Sequence, residues 1–349
     1  MPISSADIKR RATQLGFDLC GIAPAGDFPE LAALPKWLRR GFAGRMTYLN
    51  RTAKKRADVR AWLPSARSVV CVACLYHTDR PLSVEARDPG EALIARFASG
   101  DDYHDVLQRR LEALLAWMRE AAGEAFDARI GVDDAPVQER VYAAHAGIGW
   151  IGKNTCVINP VLGSWFVLGE IATSLDLVPD EPVLDQCGTC HLCLDACPTH
   201  AIVEPYVVDA TRCISYLTIE IKKSIPEEQR PDLGAHVFGC DICQDVCPWN
   251  ATAAPSADPA WQPRPGLDRP RLADLWRDTD EGLAAQIEGT ALRRRGVEGL
   301  RRNVAVAIGN SGSFDAAAAL AAELSSASPA AADPVVAEHR DWASARLRR

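Results

Sequence analysis

The sequence has no long hydrophobic run. No apolar stretch approaches the roughly 20 residues that cross a bilayer as a helix, and the opening Met-Pro-Ile-Ser-Ser-Ala-Asp carries no signal-peptide core. The adjacent Arg10 and Arg11 lead into Ala-Thr-Gln-Leu-Gly instead of an apolar stretch, which argues against a twin-arginine export signal. Positive charge is short as well. The formal net charge is −7 and the pI about 5.6, which excludes non-specific nucleic-acid binding by the whole surface and leaves room only for a local basic patch. These absences predict a soluble, cytoplasmic protein with no membrane partner. Its 349 residues, 48% of them hydrophobic, exceed one typical domain and can build substantial cores.

Cysteine is abundant, and its spacing is the strongest signal in the chain. Cys187-Gly-Thr-Cys190-His-Leu-Cys193-Leu-Asp-Ala-Cys197-Pro198 is C-x₂-C-x₂-C-x₃-C-P, the bacterial ferredoxin spacing for a [4Fe–4S] cluster. In that arrangement three cysteines wrap one cubane and the fourth ligates a second. Cys240-Asp-Ile-Cys243-Gln-Asp-Val-Cys247-Pro248 repeats the C-x₂-C-x₃-C-P half, with Val237 where its first cysteine would fall; Cys213 can replace it. The expected partition is Cys187, Cys190, Cys193 and Cys247 on one cluster, and Cys197, Cys213, Cys240 and Cys243 on the other. Zinc also takes Cys-x₂-Cys pairs, but three cysteines in succession and two Cys-Pro endings favour two [4Fe–4S] clusters and single-electron transfer. Thiolate ligands on this scale imply a reducing compartment. Cys71 and Cys74 fall in a predicted strand, where residues three apart point to opposite faces. With Cys20 they read as small core hydrophobes, and Cys156 is left open.

Three regions follow from the pattern. Residues 1–178 alternate helix and strand signals and predict an α/β or α+β domain. Ser4 or Ser5 caps a helix ending near Gly16, 17–23 and 67–75 read as strands, and 126–131 and 164–171 are further strands. The stretch 105–121 is a helix with Val106, Leu107, Leu111, Leu114, Leu115 and Met118 on its apolar side. Residues 179–252 are the ferredoxin-like two-cluster module. Residues 253–349 begin with an Ala/Pro-rich linker to Gly266 and continue as an all-α, HEAT-like region.

A second informative stretch runs from Asp133-Asp134 to Gly147-Ile-Gly149-Trp-Ile-Gly152-Lys153-Asn154. The Gly-x-Gly-x-x-Gly lacks the strand that a dinucleotide site requires before it. Its glycines permit close backbone approach to a large ligand, or simply form an irregular loop. Asp133 and Asp134 are either solvated turn residues or, inside a pocket, a proton donor.

The residues Asp134-Ala-Pro-Val, Glu139-Arg140, Ala146-Gly-Ile-Gly-Trp-Ile-Gly-Lys-Asn154, Gly163-Ser-Trp-Phe, Arg212-Cys-Ile-Ser-Tyr-Leu-Thr-Ile-Glu220 and Cys247-Pro-Trp-Asn250 resemble the epoxyqueuosine reductase family. The resemblance extends over nearly the whole chain, from Gly41-Phe-Ala-Gly44 to Leu300-Arg-Arg-Asn303. It implies a cobalamin-dependent oxidoreductase that converts epoxyqueuosine to queuosine at the wobble position of tRNA with a GUN anticodon. Cobalamin would be held base-off beside the two clusters. It also implies Asp134 as the proton donor, with cobalamin contacts at Asp134, Gly152, Lys153, Asn154, Ser215 and the Cys240-Asp241 backbone. Asp102-Tyr-His104 nearly matches a cobalamin motif with a cobalt-ligating histidine but lacks its glycine, so His104 is expected to cap the following helix or hydrogen-bond near it. A reductive dehalogenase shares the plan of cobalamin and two clusters and is the alternative. A ferredoxin-type carrier would need neither the large N-terminal domain nor the helical tail. A low-potential electron donor such as ferredoxin or flavodoxin, and a monomeric state, complete the expectation. For tRNA phosphates the best local basic surface in the sequence is Arg293–Arg295 with Arg301 and Arg302, together with Lys222 and Lys223; Lys222, Arg294 and Arg301 are the expected contacts.

Overall fold

The computed structural model describes residues 3–322 and 329–348. Its centre is a four-stranded, wholly antiparallel sheet of β1 (Leu19–Pro24), β2 (Ser68–Leu75), β3 (Ala128–Gly131) and β4 (Phe166–Thr173), in the order β1-β2-β4-β3. The alternation of side chains along β2 divides the N-terminal core in two. Val70, Val72 and Cys74 face one apolar cluster, while Val69, Cys71 and Ala73 face the other. Cys71 and Cys74 thus pack on opposite sides of the sheet, as their spacing predicts. On the first face lie α1 (Ser5–Gln14), closed by a capping box between Ser4 and Asp7, and α4 (Tyr103–Ala122). All six apolar positions predicted for α4 are buried. On the second face lies α5 (Glu139–His145), preceded in the chain by α2 (Ala33–Arg39) and α3 (Thr47–Arg56).

Residues 253–266 do not behave as a free linker. Trp261 is 2% exposed and packs into the core beneath the sheet. Arg110 pairs with Asp258 and Arg264 with Asp101, so an apolar anchor and two ion pairs strap this segment along the N-terminal unit. Beyond it come α6 (Leu272–Arg277), α7 (Gly296–Ser311) and α8 (Pro334–Leu347). Their apolar faces share one core with Ile94, Ala98, Val237 and Phe238. The C-terminal helices are therefore continuous with the cysteine region and with the loop before α4. Val237, in the position where the first cysteine of the second run would fall, is fully buried in that core. Among the described residues no helix is long and apolar enough to cross a membrane.

Candidate redox and proton-donor site

The cysteines fall into two neighbourhoods. Burial, then the neighbouring charges of Cys247, Cys187 and Cys190, pushes the Cys193 thiol up to about 11. Cys247 is likewise raised by burial, with Cys187 and Cys190 among its charged neighbours. In the second set, burial raises Cys213 and Cys240; Cys197 crowds both, and Cys213 lies beside Cys240. Cys243 sits against Cys156, and then Cys240 and Cys213. Crowded sulfurs that resist ionisation become thiolates once cationic iron is among them. Among the described residues no three His, Cys, Asp or Glu side chains converge closely enough to hold a single metal ion. Cysteine thiols grouped in this way are the donor type that [4Fe–4S] clusters take.

The surrounding chain fixes these sulfurs. The Trp150 indole N–H donates to Cys187 Sγ at 3.5 Å, and the Ala201 N–H donates to Cys197 Sγ at 3.3 Å. Hydrogen bonds to ligand sulfur raise cluster potentials. Gly163 takes φ +68° against Asn250, where a Cβ would stand 2.2 Å from Asn250 Oδ1. That approach lets the Ser164 N–H donate to Asn250 Oδ1 at 2.6 Å, while Asn250 Nδ2 donates to Gln244 O at 2.8 Å. The end of the second cysteine run is thereby pinned to the entry of β4.

The glycine loop braces the same module. Lys153 Nζ donates to the carbonyls of Gly188 at 2.6 Å and Cys190 at 2.8 Å. Asn154 Nδ2 donates to Cys243 O at 3.3 Å, and Asn154 Oδ1 accepts from the Cys156 N–H at 3.2 Å. The side chains expected at a cobalamin surface are thus engaged by the cysteine segments, and this loop offers an outside ligand mainly its backbone. Asp241 is 5% exposed and accepts from the Arg96 N–H at 2.8 Å, so its side chain is also internal. Ser215, half-buried, precedes a single π-turn over Tyr216–Glu220, a distortion that gathers at functional sites.

Asp133 and Asp134 form the turn after β3. Asp134 is exposed and accepts the Val132 N–H at 3.1 Å; it lies on a rim, and the interior position expected for a proton donor is not found. Asp133, at φ +58°, accepts the Tyr103 hydroxyl at 2.7 Å and lies 3.8 Å from His104 Nε2. Asp102 is the N-cap of α4 and its side chain accepts the His104 N–H; His104 Nδ1 meets Asp102 Oδ1 at 2.8 Å, so His104 hydrogen-bonds at the helix start without capping it. Burial disfavours the His104 cation, but the hydrogen bond and charge of Asp102, with the charge of Asp133, outweigh it and raise its pKa. Sequence reasoning did not connect Tyr103 and His104 to the aspartate turn, because the contact joins residues thirty positions apart.

Two buried arginines overturn part of the expected tRNA surface. Arg301 is 1% exposed and donates to the carbonyls of Leu275, Trp276 and Asp278 and to Asp280. It satisfies the carbonyls left unpaired at the C-terminus of α6 and is not a phosphate contact. Arg302, fully buried, donates to Leu217 O and Lys223 O, each at 2.8 Å, and to Ile221 O at 2.6 Å. Arg294 stays half-exposed and pairs with Glu220 at 3.1 Å, and Lys222 is exposed. The free cations lie elsewhere. Lys36, Arg39, Arg45, Arg51, Lys54 and Lys55 are exposed on and between α2 and α3, and none forms an ion pair among the described residues. This face is tied to the π-turn by the Arg45 N–H, which donates to the Tyr216 hydroxyl at 2.7 Å. It reaches the aspartate turn through Tyr48, which lies in the field of both Asp133 and Arg294.

A family model described as a 4Fe–4S double cluster binding domain matches residues 186–250. A second, described as epoxyqueuosine reductase QueG, DUF1730, matches residues 56–134. The epoxyqueuosine reductase of Xanthomonas campestris pv. campestris is 40% identical over 348 residues, covering 98% of this chain and 96% of that protein. The chain belongs to the epoxyqueuosine reductase family. The family's member from Leadbetterella byssophila is 42% identical over 303 residues, 86% of this chain and 97% of that protein. A crystal structure of epoxyqueuosine reductase with a tRNA-Tyr epoxyqueuosine-modified stem loop shares the fold at a TM-score of 0.87 and 29% identity, covering 98% of this chain and 89% of that chain. The structure of epoxyqueuosine reductase from Streptococcus thermophilus gives 0.85 and 28%, covering 98% and 90%. The chain is thus an oxidoreductase of this family with an iron–sulfur domain.

Proposed function

We propose that this protein reduces epoxyqueuosine to queuosine at the wobble position of tRNA with a GUN anticodon, the last step of queuosine biosynthesis. The observation that carries the reading is the full-length likeness to reductases of this name, combined with an aspartate turn and a cysteine module that meet at Arg140, which lies in the field of both Asp133 and Cys243. Removing the epoxide oxygen as water breaks both C–O bonds and forms C=C, and it consumes two electrons and two protons. Eight cysteines in the two sets described hold two [4Fe–4S] clusters, which take electrons singly from a low-potential donor such as ferredoxin or flavodoxin.

Cobalamin, when bound, supplies a cobalt centre able to hand those electrons to the strained ring. The residues suit its polar rim in part. Asp134, Ser215 and the backbone of Gly152 and of Cys240-Asp241 can meet it, whereas the side chains of Lys153, Asn154 and Asp241 are already bonded within the chain. Asp134 donates a proton to the departing oxygen, and seating substrate and cofactor over the rim removes it from water. Lys222 and Arg294 border the anticodon loop near the π-turn, and the cationic face of α2 and α3 takes the stem phosphates. The chain acts as a monomer in the cytoplasm, where reducing conditions keep the cluster thiolates intact.

The test is reduction of an epoxyqueuosine-bearing anticodon stem-loop by anaerobically purified, cobalamin-loaded protein. Asp134→Asn, which keeps shape but cannot donate, should slow turnover by roughly 10² to 10⁴ with the iron and cobalamin spectra unchanged. Near-wild-type turnover would remove Asp134 from the mechanism. Iron analysis should find two clusters per chain, and Cys213→Ala should lose the cluster of Cys197, Cys240 and Cys243 while sparing the other.

A further inference from the structure

Glu170 lies on the central strand β4, in register with Cys71 of β2 and Gly131 of β3. It is 2% exposed, and its Oε2 has no hydrogen-bond partner among the described residues. A buried, unpaired carboxylate is costly, and an apolar side chain at this place would pack without that cost. Its surroundings are acidic. The charged or titratable groups facing it are Glu139 at the start of α5, Asp133 and Asp134 of the turn, Cys71 of β2, and Arg56 at the end of α3. Gly131 keeps the space open between strand and turn: a Cβ there would stand 2.5 Å from Glu170 Oε1 and 2.6 Å from the Ala135 Cβ. The half-buried Glu139 is the link outward, since it lies in the field of Asp133, with Arg140 and Arg56 nearby. Glu170, Glu139 and the Asp133-Asp134 turn therefore run from the core of the sheet to the exposed rim.

The proposed reaction sharpens the question these carboxyls raise. Each oxygen lost as water takes two protons, and Asp134 carries one. We infer that Glu139 and Glu170 are the proton reservoir that recharges Asp134, acting through it as positioning residues. The inference rests on the reductase reading above. Burial and the charge of Asp133 lift Glu139 to about 7, and burial with the charge of Glu139 lifts Glu170 well above the usual carboxylate range. Glu170 consequently holds its proton at neutral pH, whereas Glu139 stands near its midpoint there and empties first as pH rises. The balance closes with Asp134 giving the first proton to the departing oxygen, Glu139 reprotonating Asp134, Asp134 giving the second, and Glu170 refilling Glu139, after which two protons from solvent restore Asp134 and Glu170.

The experiment uses the cobalamin- and cluster-loaded enzyme in single turnover across pH, on the epoxide-bearing stem-loop. The wild-type rate should fall as pH rises through about 7. Glu139→Gln should lower the rate roughly 10²-fold and abolish that limb, with stem-loop affinity and both cofactor spectra unchanged. Glu139→Asp should restore part of the rate and the limb. Infrared difference spectra of the wild-type protein should show a protonated carboxyl at neutral pH that is missing in Glu170→Gln. An unchanged pH profile in Glu139→Gln, or no protonated carboxyl assignable to Glu170, overturns the reservoir. Should Glu139→Gln fail to load its cofactors, the Glu139→Asp profile and the wild-type infrared band decide in its place. A wild-type enzyme inactive on the stem-loop overturns the reductase reading instead, and the infrared band still tests the reservoir.

Discussion

Two arginine-rich stretches of this chain have opposite fates. Around Arg293–Arg302 the charges are dense in sequence, yet Arg301 and Arg302 are buried and donate to backbone carbonyls. Over 36–56 the charges are more scattered, yet six of them stand exposed and unpaired on one region of surface. The difference lies in what each helix packs against. The inner face of α7 meets the C-terminal end of α6 and the 217–223 segment, both of which present carbonyls lacking partners. A guanidinium, with five donors in a planar fork, satisfies several at once. The helix α3 has no buried residue. Its macrodipole favours Lys54 and Lys55 in the last turn, but it does nothing for Arg51, whose repulsion with Lys55 one turn on weakens the helix. Charge density in sequence therefore marks a surface only where the helix bearing it has no partner that needs donors.

The largest effect expected from this contrast is on stability. Arg302→Met leaves the carbonyls of Leu217, Ile221 and Lys223 without their donor, and should cost about 1–3 kcal/mol for each carbonyl left unsatisfied, read as a lower unfolding temperature of the cluster-loaded protein. Arg302→Lys should recover only part, because an ammonium cannot span the three acceptors. Stability equal to wild type in Arg302→Met would dissolve the distinction between the two stretches. A smaller and different effect belongs to α3. Reversing Arg51, Lys54 and Lys55 to Glu should leave unfolding and the iron spectrum in place and weaken stem-loop binding, flattening the salt dependence by roughly 0.7 to 0.9 for each phosphate no longer neutralised. Unaltered affinity and salt slope would place the nucleic acid elsewhere. The smallest effect is expected at Arg294, which is half-exposed and paired with Glu220. Arg294→Ala should change stability by no more than about 1 kcal/mol and show itself mainly as weaker binding of the modified loop.

Local signals read correctly in the sequence were those whose physics is local. The period of α4 placed all six of its apolar residues, the alternation along β2 separated Cys71 from Cys74, and Ser4 capped α1. The segment 253–266 misled because its Ala and Pro content says nothing of Trp261, whose burial depends on a sheet far away in the chain. Lys153 and Asn154 were singled out as cofactor contacts, but their donors go to the carbonyls of Gly188, Cys190 and Cys243, which only the folded chain brings near.

The sequence by itself determined the iron–sulfur chemistry, because ligand spacing within a loop of a dozen residues is set by covalent reach and a cluster of fixed size. It also determined the family, through motifs spread over the whole chain. Tertiary structure alone decided that Asp134 lies on an exposed rim, and that Arg301 and Arg302 are internal donors. It likewise set the carboxyls of Glu139 and Glu170 behind the aspartate turn. Each of these depends on contacts between residues far apart in the chain, where burial and the supply of unpaired polar groups, and not residue type, fix what a charged side chain does.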